Sequence, residues 1–131
     1  MSVIKQLSIF LENKPGVLAR LCRDFAKQKI NIEGLSVSDT VDHAVVRLIT
    51  NDPAKAITVL EGAGVLVVET DVLALNLADK PGELALIADR FAKAKVNIEY
   101  AYGTTTVGTA QGRLILRVSD IKKARKVLNE K

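Results

Sequence analysis

The chain repeats itself. Residues 12–33 read ENKPGVLARLCRDFAKQKINIE and residues 78–99 read ADKPGELALIADRFAKAKVNIE, aligned without a gap at an offset of 66 residues, with 12 of 22 positions identical. Repetition at a fixed period is the mark of one supersecondary unit built more than once. The chain is a duplication, and its 131 residues hold two copies. A unit of roughly 65 residues buries only a small core.

Each copy has the same order of elements. Upstream of the matched run, Leu7, Ile9 and Leu11 correspond to Leu73, Leu75 and Leu77, and this period of two predicts a strand with one buried face. Pro15–Lys29 and Pro81–Lys95 are each predicted as an amphipathic helix. Leu18, Leu21, Cys22 and Phe25, and likewise Leu84, Ile87, Ala88 and Phe91, recur at i, i+3, i+4, i+7. A second strand is predicted from Asn31 and from Asn97. A turn is expected at residues 39–42 and 106–109. A third strand then alternates through Val46, Leu48 and Thr50, or Leu114, Leu116 and Val118.

A second helix closes each copy. Asp52-Pro53 is an N-cap followed by proline at the first helical position, and Gly62 and Gly64 end that helix. Ser119-Asp120 opens the counterpart, with Ala124, Val127 and Leu128 facing inward. Val65–Val68 is apolar and β-branched, which predicts a fourth strand for the first copy; the second copy has no equivalent run. The expected class is α+β: two ferredoxin-like βαββαβ modules, antiparallel sheets with helices on one face, the second module lacking a final strand. The expected boundaries are 1–70 and 71–131.

The spacing Asn13-Lys14-Pro15-Gly16-x-Leu18, some dozen helical residues, then Asn31-Ile32 resembles the signature of ACT domains, and Asp79-Lys80-Pro81-Gly82-x-Leu84 with Asn97-Ile98 repeats it. The resemblance covers nearly the whole chain. A pair of such modules with no catalytic domain is similar to free-standing bacterial tandem-ACT proteins. It implies a regulatory protein that binds a small-molecule effector, an amino acid, and acts on a partner enzyme or regulator as a homodimer. It also implies a ligand where the first strand turns into the first helix, often at an interface between two modules. By that resemblance Asn13 and Asn31 are the polar contacts, Gly16, Val17 and Leu18 the backbone donors, and Lys14, Pro15 and Ile32 complete the first site. Asn97, Gly82, Glu83 and Leu84, with Pro81 and Ile98, match them in the second copy. Asp79 stands where Asn13 does, and a carboxylate only accepts hydrogen bonds at neutral pH whereas an amide also donates.

The turn suits a ligand on physical grounds. The first turn of a helix has N–H groups without intrahelical partners and a partial positive charge, a complement to a ligand carboxylate. Pro15 presets its own φ, and Gly16 admits close approach to the backbone. Asn13 and Asn31, at the end of one strand and the start of the next, are expected to converge. The same residues also make an ordinary helix start and strand start.

Other chemistries find little support. One cysteine, Cys22, and one histidine, His43, cannot form an intramolecular disulfide or the usual zinc ligand set. No metal site, cofactor, phosphate loop or catalytic constellation is expected, so the chain is read as a non-enzyme. The net charge of +4 is mild, and Lys122, Lys123, Arg125 and Lys126 are read as a solvated helix face. RNA-recognition domains share this element order, but they stack bases on sheet aromatics. Here only 4% of residues are aromatic, Tyr100 and Tyr102 are read as sheet packing, and no nucleic-acid partner is expected. Gly34 and Gly103 are read as bulges or places of close backbone approach. No apolar run approaches the roughly 20 residues that cross a bilayer and no signal pattern opens the chain, so a cytoplasmic protein without a membrane partner is expected. The alternative function is a dimerisation or docking module that binds no ligand.

Overall fold

The structure, a computed structural model, describes residues 1–39, 43–105 and 111–129. The predicted turns at 39–42 and 106–109 therefore fall almost wholly outside the described residues. The elements run β1 (Ser2–Glu12), α1 (Val17–Lys27), β2 (Ile32–Asp39), β3 (His43–Thr50), α2 (Pro53–Gly62), β4 (Val67–Ala78), α3 (Glu83–Lys93), β5 (Ile98–Thr105), β6 (Gln111–Val118) and α4 (Ile121–Asn129). This is the α+β class with the ferredoxin-like order of elements in both copies. The chain divides into two compact units, Lys5–Thr70 and Met1–Ile4 with Asp71–Lys131.

In the unit Lys5–Thr70, β1 and β2 both pair antiparallel with β3: Leu7 opposes Leu48, Ile9 opposes Val46 and Leu11 opposes Ala44, while Leu35 and Val37 oppose Leu48 and Val46. Alternation along the strands sends these residues to one face, and there Leu7, Ile9, Val46 and Leu48 are buried beneath Leu21 and Phe25 of α1 and Ala56 and Leu60 of α2. A register shift between Ile32 and Gly34 is the bulge expected at that glycine.

The other unit repeats the plan. β4 and β5 pair antiparallel with β6; Leu73 opposes Leu116, Leu75 opposes Leu114, and Gly103 opposes Leu114. Leu73, Leu75, Leu116 and Val118 form the core with Phe91 of α3 and Ala124 of α4, and Val127 and Leu128 pack against it as expected.

Two expectations need correction. The fourth strand predicted at Val65–Val68 is not a separate element: Val67 and Val68 belong to the same 12-residue strand as Leu73, Leu75 and Leu77. The intervening Glu69-Thr70-Asp71 contains neither glycine nor proline, so nothing forces a turn. The first helix of each copy is shorter than predicted at both ends. Gly16 and Gly82 are N-caps with φ of 86° and 93°, so helix begins only at Val17 and Glu83. At the other end Lys29 and Lys95 both take φ of 59°. Ile30 N–H donates to Phe25 O at 2.9 Å and Lys29 N–H to Ala26 O at 3.0 Å, the double bond of a Schellman ending, and Val96 and Lys95 repeat it. Gly64, φ 76°, ends α2 in the same way, with Val65 N–H donating to Leu60 O at 3.0 Å.

Among the described residues no helix is long and apolar enough to cross a membrane.

Candidate functional site

The repeated Lys-Pro-Gly turns have nearly the same backbone. Lys14 N–H donates to Glu12 O at 3.1 Å and Lys80 N–H to Ala78 O at 3.0 Å; Val17 N–H reaches Lys14 O at 3.4 Å and Glu83 N–H reaches Lys80 O at 3.5 Å. A side chain at Gly16 or Gly82 would meet no atom within 4 Å, so it is the positive φ and not crowding that calls for glycine.

The four helix starts fall into two kinds. Asp52 accepts from Lys55 N–H at 3.1 Å and Asp120 from Lys123 N–H at 3.0 Å, so α2 and α4 are capped by carboxylates. No side chain caps α1 or α3. Val17 N–H and Glu83 N–H turn back to Lys14 O and Lys80 O; the next N–H groups of the first turn face outward, and the partial positive charge of the helix end is directed at the same place.

The asparagines of the signature do not come together within a unit. Asn13 is exposed in the turn after β1, where Glu12 opposes His43 at the start of β3. Asn31 precedes Ile32, which opposes Thr50 at the end of β3. The seven residue steps from His43 to Thr50 separate the two ends by about 23 Å at roughly 3.3 Å per residue. The expectation of convergence fails because β1 and β2 are parallel: the chain leaves β1 at one end, and α1 carries it back before β2 begins. Asn31 is instead tied down locally, its N–H donating to Asn51 Oδ1 at 2.9 Å. Asn97 has the same position relative to Asp79, its N–H donating to Ser119 Oγ at 2.9 Å. Ile32 and Ile98 pack against the cores.

Beside the second turn lies a cavity of about 310 Å³ lined by Leu77, Ala78, Asp79, Lys80, Glu83, Leu84, Gly103, Gly112, Arg113 and Leu114. It sits under the open start of α3. Its floor is apolar: Leu77, Gly112 and Leu114 lie at alternating positions on the core-facing side of β4 and β6. Its rim is charged. Lys80 Nζ and Glu83 Oε1 stand 3.5 Å apart, and Asp79 is exposed. Of the residues taken from the sequence, Asp79, Glu83 and Leu84 line this cavity. Leu77, Gly112 and Leu114 were not singled out as site residues. Gly103 was read only as a point of close approach, which it is: a Cβ there would fall 2.3 Å from Arg113 O. The signal for both glycines was in the repeat, where Val37 and Ala44 hold the same register positions.

The first turn borders a different space, a groove of about 650 Å³ lined by Phe10, Leu11, Glu12, Lys14, Val17, Arg20, Leu21, Asp24, His43 and residues 63–66. Lys14 and Val17 line it; Leu18 instead packs half-buried against the core. Lys14 Nζ lies 2.8 Å from Glu12 Oε2. That hydrogen bond, together with the lysine's charge, holds the Glu12 carboxyl below the usual carboxylate range.

A family model described as "ACT domain pair" matches residues 1–131. The chain belongs to the ACT domain pair family. The crystal structure of a protein from Bacteroides thetaiotaomicron matches this ACT pair with 35% identity and a TM-score of 0.93, covering 98% of this chain and 88% of that one. The regulatory subunit of aspartate kinase from Thermus thermophilus, in a ligand-free form, shares the fold at 14% identity and a TM-score of 0.69, covering 99% and 97%. The corresponding subunit from Thermus flavus does so at 15% identity and a TM-score of 0.67, covering 98% and 94%. No curated protein matches this ACT pair.

Proposed function

We propose that this ACT pair is a regulatory protein, not an enzyme, that binds an amino acid at the strand-to-helix turn and passes the binding state to a partner enzyme or regulator. We take its modules as 1–70 and 71–131. The observation that carries the reading is the cavity at the start of α3, which no side chain caps: an apolar floor, a helix start, and the carboxylate of Asp79 at one rim. An α-amino acid complements all three. Its carboxylate meets the helix start, its ammonium meets Asp79, and its side chain meets the leucines. The aspartate kinase neighbours are regulatory subunits by name, which supports a regulatory role for a chain of the same fold.

Asn13 and Asn31 lie at opposite ends of one unit, so the two cannot hold one ligand from the same unit. In this reading a homodimer resolves the separation: a second copy of the chain supplies the missing asparagine. Regulation is then a population shift, because a ligand bound across two copies favours the assembly that contains the complete site.

The test is a thermal-shift screen against the twenty amino acids. A ligand at about 100 times its Kd stabilises by roughly 2.7 kcal/mol. The expected result is a hit that disappears in Asp79→Ala or Asn31→Ala while the unliganded variants keep their fold. A second reading, a docking module without ligand, draws on the exposed Phe10, Leu35 and Val37, at 44%, 44% and 49% exposure. It predicts a flat screen.

A further inference from the structure

α2 and α4 are one helix built twice and then charged differently. Asp52 and Asp120 cap them alike, and Ala56 and Ala124, both fully buried, seat them on their cores. On the outer side Ala54, Ile57 and Thr58 of α2 give way to Lys122, Arg125 and Lys126 of α4, Lys55 is kept as Lys123, and Glu61 becomes Asn129. Residues 5–70 carry eight basic and eight acidic side chains and the remainder eleven and seven, so the chain's net charge of +4 belongs to the second unit.

This charge works against the helix that carries it. Lys122 and Lys123 stand in the first turn, beside the positive end of the helix, with no acidic residue in that turn. Lys122 lies three residues before Arg125 and four before Lys126, so like charges are neighbours on the surface. Among the described residues none of the four is in an ion pair. With Asp120 and Asn129 they line an open depression of about 670 Å³. Asn97 and Ser119 exchange hydrogen bonds at 2.9 Å, which puts the exposed Lys95 at the same end of the unit. A cluster that destabilises its own helix and satisfies no internal partner calls for an anion from outside.

The surroundings select the kind of anion. The only aromatic side chain of α3 and α4, Phe91, is buried, leaving nothing on which a base could stack. The apolar side of α4 is turned inward, with Val127 and Leu128 against the core, and so does not enter a bilayer. Leu86, however, is 61% exposed, one helical turn before Arg90, whose guanidinium donates to Val127 O of α4. An exposed leucine beside unpaired cations suits a protein segment that carries both carboxylates and apolar side chains. We propose that this face of the second unit docks an acidic, leucine-containing segment of the partner protein. Lys122, Arg125 and Lys126 meet its carboxylates, and Leu86 meets its apolar side. The docking face rests on the regulatory role proposed above only in requiring a partner; effector binding does not enter.

The probe is a fluorescein-labelled peptide of about 16 residues, glutamate with leucine at every third or fourth place so that one side of its helix is apolar. Its anisotropy is read on the full chain at low ionic strength. Lys122→Gln, Lys123→Gln, Arg125→Gln and Lys126→Gln combined are expected to weaken the peptide at least about tenfold. The same variant is expected to melt at a higher temperature, because repulsion between the cations and with the helix end is removed. The matched control removes four exposed cations of the first unit, Arg23→Gln, Lys27→Gln, Lys29→Gln and Lys55→Gln, and is expected to change binding by no more than about twofold. Leu86→Ser is expected to weaken the peptide severalfold. Equal losses in both sets, a lower melting temperature in the α4 set, no effect of Leu86→Ser, or tighter binding of a single-stranded oligonucleotide or of phosphatidylserine vesicles than of the peptide would each overturn the docking face. A flat amino-acid screen would overturn the effector site alone.

Discussion

The turn before α1 and the turn before α3 share Lys-Pro-Gly, a left-handed glycine and an uncapped helix, yet they border different spaces. The first borders a groove of mixed polarity, lined by Arg20, Asp24 and residues 63–66 among others. The second covers a smaller, leucine-floored cavity beside β6. The difference lies in side chains and not in backbone. Where the first copy has Val17, Arg20, Val37 and Ala44, the second has Glu83, Leu86, Gly103 and Gly112. Duplication kept what the fold needs, the core leucines, the phenylalanine and the glycine of the turn, and left the walls of the turn free to diverge.

If the cores are equivalent, removing their largest members should cost the same. Phe25 and Phe91 are each 1% exposed, and Phe25→Ala and Phe91→Ala are each expected to lose about 3–5 kcal/mol in urea unfolding. A large disparity would show that one unit carries the stability of the other. Next in size are Gly16→Ala and Gly82→Ala. Each forces a Cβ onto a left-handed backbone with no steric clash, at a cost of about 1–2 kcal/mol, and equal losses are again expected. Lys29→Gly and Lys95→Gly act in the opposite sense. Both lysines hold φ of 59°, and glycine there is expected to raise thermal stability by up to about 1 kcal/mol.

The smallest effect separates the copies. Lys14→Gln is expected to raise the Glu12 carboxyl pKa toward its ordinary value, read by carbon-detected NMR, because the lysine is the main cause of its depression. A carboxyl with a depressed folded pKa stabilises above its unfolded pKa and loses that contribution as pH falls through the folded value. The substitution should therefore reduce any acid-side loss of stability in the first unit. Lys80→Gln has no matching carboxyl at position 78 to move, since Ala78 stands where Glu12 does.

Most of the fold was legible because its signals are local. Period-two leucines marked β1 and β4, the i, i+3, i+4, i+7 stripe marked α1 and α3, and Asp52-Pro53 marked α2. The merger of the predicted fourth strand into β4 was not legible, because a strand that continues and one that ends differ only in a turn, and Glu69-Thr70-Asp71 neither makes nor forbids one. The helix ends were misplaced because a lysine in the left-handed region carries no sequence mark, unlike Gly64. At the site, the motif located the turn but not the floor. Gly112 and Leu114 lie more than 25 positions along the chain from Leu84 and meet it only through strand pairing. The asparagine pair was misjudged because sequence neighbourhood between a strand and the next strand says nothing about which end of the sheet each occupies.

The most direct test of the account is an amide NMR titration of the full chain with the best ligand from the screen. The account predicts the largest shifts at residues 79–85, 103 and 112–114, with smaller ones at residues 13–19. Shifts centred on the basic face of α4, or spread evenly without a focus at the α3 start, would contradict it.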